Sequence, residues 1–145
     1  MNYLADTNIL LRLAQTNSSH HAEAEKAVEK LLKRGDTLFI TLQNVSEFWN
    51  VCTRPADKNG LGFTIAQTES ELSKIEQVFD FLPDTLDVYK NWRELVVNHS
   101  VQGVQVHDAK IVAAMKTHNI KNLLTFNSKD FKRYTDINPI EPKDV

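Results

Sequence analysis

Hydrophobic positions along the chain fall into two rhythms, short near-continuous runs and longer stripes at helical spacing. In the stretch Asn2–Leu13 (NYLADTNILLRL) a mostly apolar run leads into Asp6, and a second apolar run follows Thr7 and Asn8. This predicts a buried strand that turns into a helix at Asp6. Ile9–Leu13 forms that short helix, which ends near the polar patch Gln15–Ser19. Ala24, Ala27, Val28, Leu31 and Leu32 then recur at helical spacing with Lys26, Lys30 and Lys33 outside. Gly35 stops this helix, being free to adopt a left-handed cap. Leu38–Ile40 is the second strand, and Thr41 opens a helix striped by Val45, Phe48, Trp49 and Cys52.

Arg54–Phe63 (RPADKNGLGF) reads as a loop from its Pro, its Asn-Gly pair and its second Gly. Thr64 with Gln67 forms a capping box, and Ile65, Thr68, Leu72, Ile75 and Phe79 mark one helical seam. Phe81–Leu82 is a short strand. A helix follows Pro83–Asp84 with Leu86, Tyr89, Trp92 and Val96 on one side, and Gly103 lies in the next loop. Asp108 begins a helix running to about His118, Leu123–Leu124 is a buried strand, and Ile137–Ile140 is the last. Helices alternating with strands in this way build an α/β sandwich around a mostly parallel sheet, with ligands outside the carboxyl ends of the strands. No repeat, low-complexity tract or boundary divides residues 1–145, so they are expected to form one domain.

Composition changes this picture little. The chain has 145 residues, 41% hydrophobic and 25% charged, which is ordinary for a globular protein with a real core. A net charge of -2 argues against coating nucleic acid by bulk charge but leaves room for a local site. The lone Cys52 lies in an apolar helical pattern and is read as a core residue. No signal peptide and no run of about 20 apolar residues is present, so a cytoplasmic, non-membrane protein is expected.

The candidate chemistry lies in carboxylates. Asp6, Asp108 and Asp130 each stand where an Asp caps a helix, and Glu47 lies off the apolar stripe of its own helix, where a solvated residue is the plain reading. Asp108, however, shares the inward stripe of Ile111, Val112 and Met115, and an unpaired buried carboxylate is expensive. In a parallel sheet Asp6 and the Asn127–Asp130 loop follow strands that end on one edge, and the helices carrying Glu47 and Asp108 begin there. Acids gathered so closely repel, by about 4 kcal/mol for a pair ~4 Å apart at an effective dielectric of ~20. Protonation or a cation relieves this, and an all-oxygen donor set favours Mg²⁺ or Mn²⁺. A divalent ion in an open acidic cleft suits phosphodiester hydrolysis.

Asp6-Thr7-Asn8, Ser46-Glu47-Phe48, His107-Asp108-Ala109 and Leu124–Phe131 (LTFNSKDF) together resemble the PIN domain, and more narrowly the VapC-like toxin ribonucleases of toxin–antitoxin pairs. The four motifs stand in family order over nearly the whole chain. The resemblance implies a three-layer α/β/α sandwich and a Mg²⁺- or Mn²⁺-dependent endoribonuclease. It also implies a small cognate antitoxin and a homodimer. It carries over Asp6, Glu47 and Asp108 as metal-binding, catalytic carboxylates, and Asp130 with them. Many relatives have an acid where this chain has Asn127, so either Asp130 supplies that charge or Asn127 offers a neutral oxygen. Thr7, Asn8 and Thr125 are polar neighbours able to hold water or the acids in place. The alternative is a PIN-like scaffold that binds RNA or protein without cutting. An aspartyl-phosphate phosphatase ranks lower, because Asn8 stands where a second Asp belongs.

Arg54 and Lys58 are candidates for touching RNA phosphate, and His107 for orienting one, against the default of solvated charges. Adjacent His20 and His21 point in different directions on one helix and make a poor metal pair.

Overall fold

The computed structural model describes residues 1–145. Its centre is a five-stranded sheet in the order β3-β2-β1-β4-β5, with β1 (Asn2–Ala5), β2 (Thr37–Thr41), β3 (Asp80–Leu82), β4 (Asn122–Leu124) and β5 (Asn138–Ile140). Every neighbouring pair is parallel. β5 tolerates Pro139 because it is an edge strand with one partner, where a missing N–H costs little.

The helices cover both faces. α1 (Thr7–Ala14), α2 (His21–Lys33), α3 (Leu42–Thr53) and α4 (Ile65–Glu76) share a core with Tyr3, Ala5, Leu38, Ile40 and Leu124. α5 (Leu86–Asn98) and α6 (Val106–Thr117) pack on the other face with Leu4, Leu82 and Leu123. The alternation Tyr3/Leu4/Ala5 across the two cores is the period of two that a strand imposes. The result is the expected three-layer α/β/α sandwich, its sheet wholly parallel.

Local signals hold at the ends of α1 to α4. Of the three Asp residues read as caps, however, only Asp6 is one, since Asp130 lies inside its 3₁₀ turn and makes no cap. Gly35 takes φ +81°, and the Gly35 and Asp36 N–H groups close onto Leu32 and Leu31 carbonyls at the end of α2. Thr64 and Gln67 form the capping box of α4, and Thr41 and Asn44 form one for α3. Four stripe assignments are corrected: Leu32, Ile65, Leu86 and Tyr89 are exposed. On α5 the buried seam is Val88 and Leu95, flanked by Trp92 and Val96. Two overlapping apolar stripes exist on that helix, and only packing against α6 selects one. Asp108 does not open α6, which begins two residues earlier at Val106 and has no side-chain cap. The strand order reverses between β1 and β4, so a crevice opens between their carboxyl ends.

Candidate functional site

Asp6 stands at the end of β1 in that crevice. Its backbone N–H donates to Leu124 O at 2.9 Å, extending the β1–β4 ladder by one residue and placing Asp6 beside Thr125. Its Oδ1 caps α1 by accepting from Thr7 N at 2.8 Å. Its Oδ2 accepts from Thr125 Oγ1 at 2.7 Å and Asn8 Nδ2 at 3.1 Å. Capping and the site are therefore one arrangement, with a different oxygen serving each.

Thr125 is fully buried and its hydroxyl is saturated. It donates to Asp6 and accepts from Asn8 Nδ2 and from the Asn127 N–H. Asn8 Oδ1 in turn accepts from Phe126 N, so α1 and the loop after β4 are clasped together. The Asn127 side chain is exposed, as is Asp130, which lies in a short 3₁₀ turn, Ser128–Phe131.

Glu47 is not a solvated surface residue. It is half-buried, with Oε2 accepting from Thr7 Oγ1 at 2.7 Å and Oε1 from Gln43 Nε2 at 2.9 Å. The Thr7 hydroxyl accepts from buried Asn44 at 3.2 Å, which directs its single proton to Glu47. Gln43 Nε2 also donates to His107 O at 2.9 Å, tying the Glu47 helix to the first turn of α6, which bears Asp108. Gln43 and Asn44 escaped the sequence reading. The Gln43–Glu47 spacing of four residues on a helix was the available signal.

The acids also act on one another electrostatically. Burial raises the Asp6 carboxyl above its ordinary value, and Glu47 adds to this against the hydrogen bonds from Thr125, Thr7 and Asn8. Burial also raises Asp108, to about 6, with Asp6, Asp130 and Glu47 pushing the same way and His107 opposing. Each of the other three acids is thus felt at Asp108. No three of them close around a single point as a ready-made metal cage. The donor set is nonetheless all carboxylate oxygen and mutually repulsive, which fits a hard divalent cation such as Mg²⁺ or Mn²⁺. Asp6, Glu47 and Asp108 are the groups that would hold it, with Asp130 or Asn127 at the rim.

Of the remaining candidates His107 adjoins the site, whereas Arg54 and Lys58 follow the far end of α3. Arg54 follows α3, about 10 Å along the helix axis beyond Glu47 at ~1.5 Å per residue. Its Nη2 donates to Asn59 O within its own loop, and its Nε is buried without a partner. Lys58 is exposed in the 3₁₀ turn of that loop, and His107 is exposed beside Asp108. His20 and His21 contact Glu23 and Glu25 separately.

The sequence model of the PIN domain matches residues 3–137. No curated protein matches the sequence. The fold is similar to VapBC2 from Rickettsia felis bound to a DNA fragment from its promoter, at 18% identity, 97% of this chain, 98% of that one and a TM-score of 0.69. It is similar to a toxin–antitoxin complex from Klebsiella pneumoniae, at 22% identity, 99% of both chains and a TM-score of 0.67. A third similar structure is VapC20 of Mycobacterium tuberculosis, a sarcin–ricin loop cleaving toxin, at 16% identity, 91% of this chain, 95% of that one and a TM-score of 0.67. At these identities the likeness is one of fold.

Proposed function

The chain belongs to the PIN domain family, and from that premise we propose that it is a divalent-metal-dependent endoribonuclease, the toxin of a toxin–antitoxin pair. The observation that carries this reading is the gathering of Asp6, Glu47 and Asp108 at the sheet's switch point, with Asp130 in electrostatic reach. Such a cluster is costly to a fold and is explained by a cation and an anionic substrate.

Asp6, Glu47 and Asp108 would hold a Mg²⁺ or Mn²⁺ ion, which would acidify water and supply countercharge for phosphodiester hydrolysis. The chain's own contribution is preorganisation. Thr125 and Asn8 hold Asp6 Oδ2, and Thr7 and Gln43 hold the two Glu47 oxygens, so neither acid has to be ordered when substrate arrives. Burial and the neighbouring acids raise Asp108 to about 6, so a cation held there would favour its ionised form against that shift.

A small antitoxin, a homodimer and a cytoplasmic setting complete the reading. The similar VapBC and toxin–antitoxin structures support the first of these. Light scattering is expected to give twice the chain mass of 16.6 kDa. A non-catalytic PIN-like scaffold is the second reading, favoured by Asn127 in place of an acid and by the open arrangement of the carboxylates.

Calorimetry with Mn²⁺ separates the two. The wild type is expected to bind, Asp6→Ala and Asp108→Ala to fail while folded by circular dichroism, and either Asn127→Ala or Asp130→Ala to weaken binding. RNA cleavage is expected with Mn²⁺ and not in excess chelator. A folded wild type that binds no divalent ion, even with RNA present, would leave only the scaffold.

A further inference from the structure

Beside the acids lies a cleft of about 490 Å³ whose walls include Gln105, Asp108, Lys129, Asp130, Lys132 and Arg133. Its size falls in the range of ligand clefts, about 300–1,000 Å³. Its basic wall is both clustered and unpaired, whereas the equally dense run Lys30–Arg34 has Lys33 and Arg34 bound to Glu29 and Asp36. Three cations fall within five consecutive residues, Lys129–Arg133, in a protein of net charge -2. None of the three has a carboxylate within ion-pair distance, a state they share with eight of the chain's other 14 Lys and Arg side chains. Arg133 is oriented instead by a neutral group, its Nη2 donating to Gln105 Oε1 at 2.8 Å. Lys129 and Lys132 are exposed. Three cations without an ion-pair partner, next to two carboxylates, form a bipolar cleft, one wall suited to metal and the other to phosphate.

We propose that Lys129, Lys132 and Arg133 form a phosphate-binding wall that guides a single RNA strand past Asp108 and Asp130 by gripping backbone phosphates beside the scissile one. This rests on the ribonuclease reading above and gives the substrate a path along the loop after β4. Arg54 and Lys58 lie off that path, beyond the far end of the Glu47 helix. Contacts of this kind fix position without reading sequence, and they weaken as salt rises.

The test uses a fluorescein-labelled, mixed-sequence 12-nucleotide single-stranded RNA. Affinity is read by anisotropy in excess chelator from 50 to 300 mM KCl, and KM by cleavage with Mn²⁺. Lys132→Gln with Arg133→Gln is expected to weaken affinity about tenfold at 50 mM salt and to flatten the log–log salt dependence by ~1.4, at ~0.7 for each lost contact. KM should rise in step, with kcat within about threefold. The swap Lys132→Arg with Arg133→Lys, which keeps both charges, should restore affinity. Arg54→Gln with Lys58→Gln should bind within twofold of wild type. Lys129→Gln alone, expected to flatten the slope by ~0.7, stands in if the double variant does not fold. A folded double variant that binds and cuts like wild type overturns the wall and leaves the ribonuclease standing. A wild type that neither binds this RNA nor cuts it with Mn²⁺ overturns the ribonuclease reading, and the wall with it.

Discussion

Burial and the charges of Asp6, Asp130 and Glu47 raise Asp108 from 3.8 to about 6, so without a cation the folded chain keeps a proton there that the unfolded chain has released. Between those pH values the folded state binds more protons, and stability falls as pH rises. Asp6 shifts in the same direction. Discounted for a half-exposed group, the Asp108 effect is about 1 kcal/mol, a Tm higher by about 2–4 °C at pH 5 than at pH 7 in chelator. Thermal unfolding of Asp108→Asn should lose most of that dependence. Asp36 works in a separate window: the Met1 ammonium and then Arg34 hold it low, so its stabilisation is present above 3.8 and is lost only as pH falls through its folded value. Thr125→Val is a second residue-scale case. The variant keeps the shape but strips Asp6, Asn8 and the Asn127 N–H of one shared hydroxyl. Leaving such buried groups unpaired costs about 1–3 kcal/mol, measurable by urea unfolding, and Mn²⁺ affinity should drop with it.

Elements meet at the site through a few side chains. Gln43 is the clamp between α3 and α6, touching Glu47 with one bond and the His107 carbonyl with another. Removing a residue that orients a ligand commonly costs about 10–100-fold in metal affinity. Gln43→Ala is therefore expected to weaken Mn²⁺ binding at least about tenfold in calorimetry while leaving the far-ultraviolet circular dichroism intact. The loop after α3 depends on a different kind of fit. A Cβ at Gly60 would lie 1.9 Å from the Arg54 carbonyl oxygen, so the backbone there passes too close for any side chain. Gly60→Ala should destabilise by about 1–3 kcal/mol in urea unfolding. Its effect on cleavage should be small, since the loop lies off the acid crevice.

At the scale of the whole molecule, the two cores hold the sheet from both sides while its carboxyl edge collects like charges. A ligand that binds only the folded state stabilises it by about 2.7 kcal/mol at a hundred times its Kd. Saturating Mn²⁺ should accordingly raise the Tm by about 5–10 °C, and by almost nothing in Asp6→Ala. An equal rise in both proteins would mean that the ion binds elsewhere.

Much of this was legible in the chain itself. Capping residues, the Gly35 stop and the buried runs around Leu4, Leu38 and Leu123 are local signals, and they suffice for an α/β order whose strands end beside Asp6 and Asn127. The four acid-bearing motifs lie in that order, so the family too was readable. Tertiary structure decided the rest, because it depends on which surfaces meet. The seam on α5 is chosen by α6, so Leu86 and Tyr89 lie outside it. Glu47 looks solvated along its own helix and is drawn into the site only by Thr7 from α1 and by Gln43. Periodicity reports one helix face at a time, whereas a site at a sheet's switch point is made by elements more than a hundred residues apart, as Asp6 and Thr125 are.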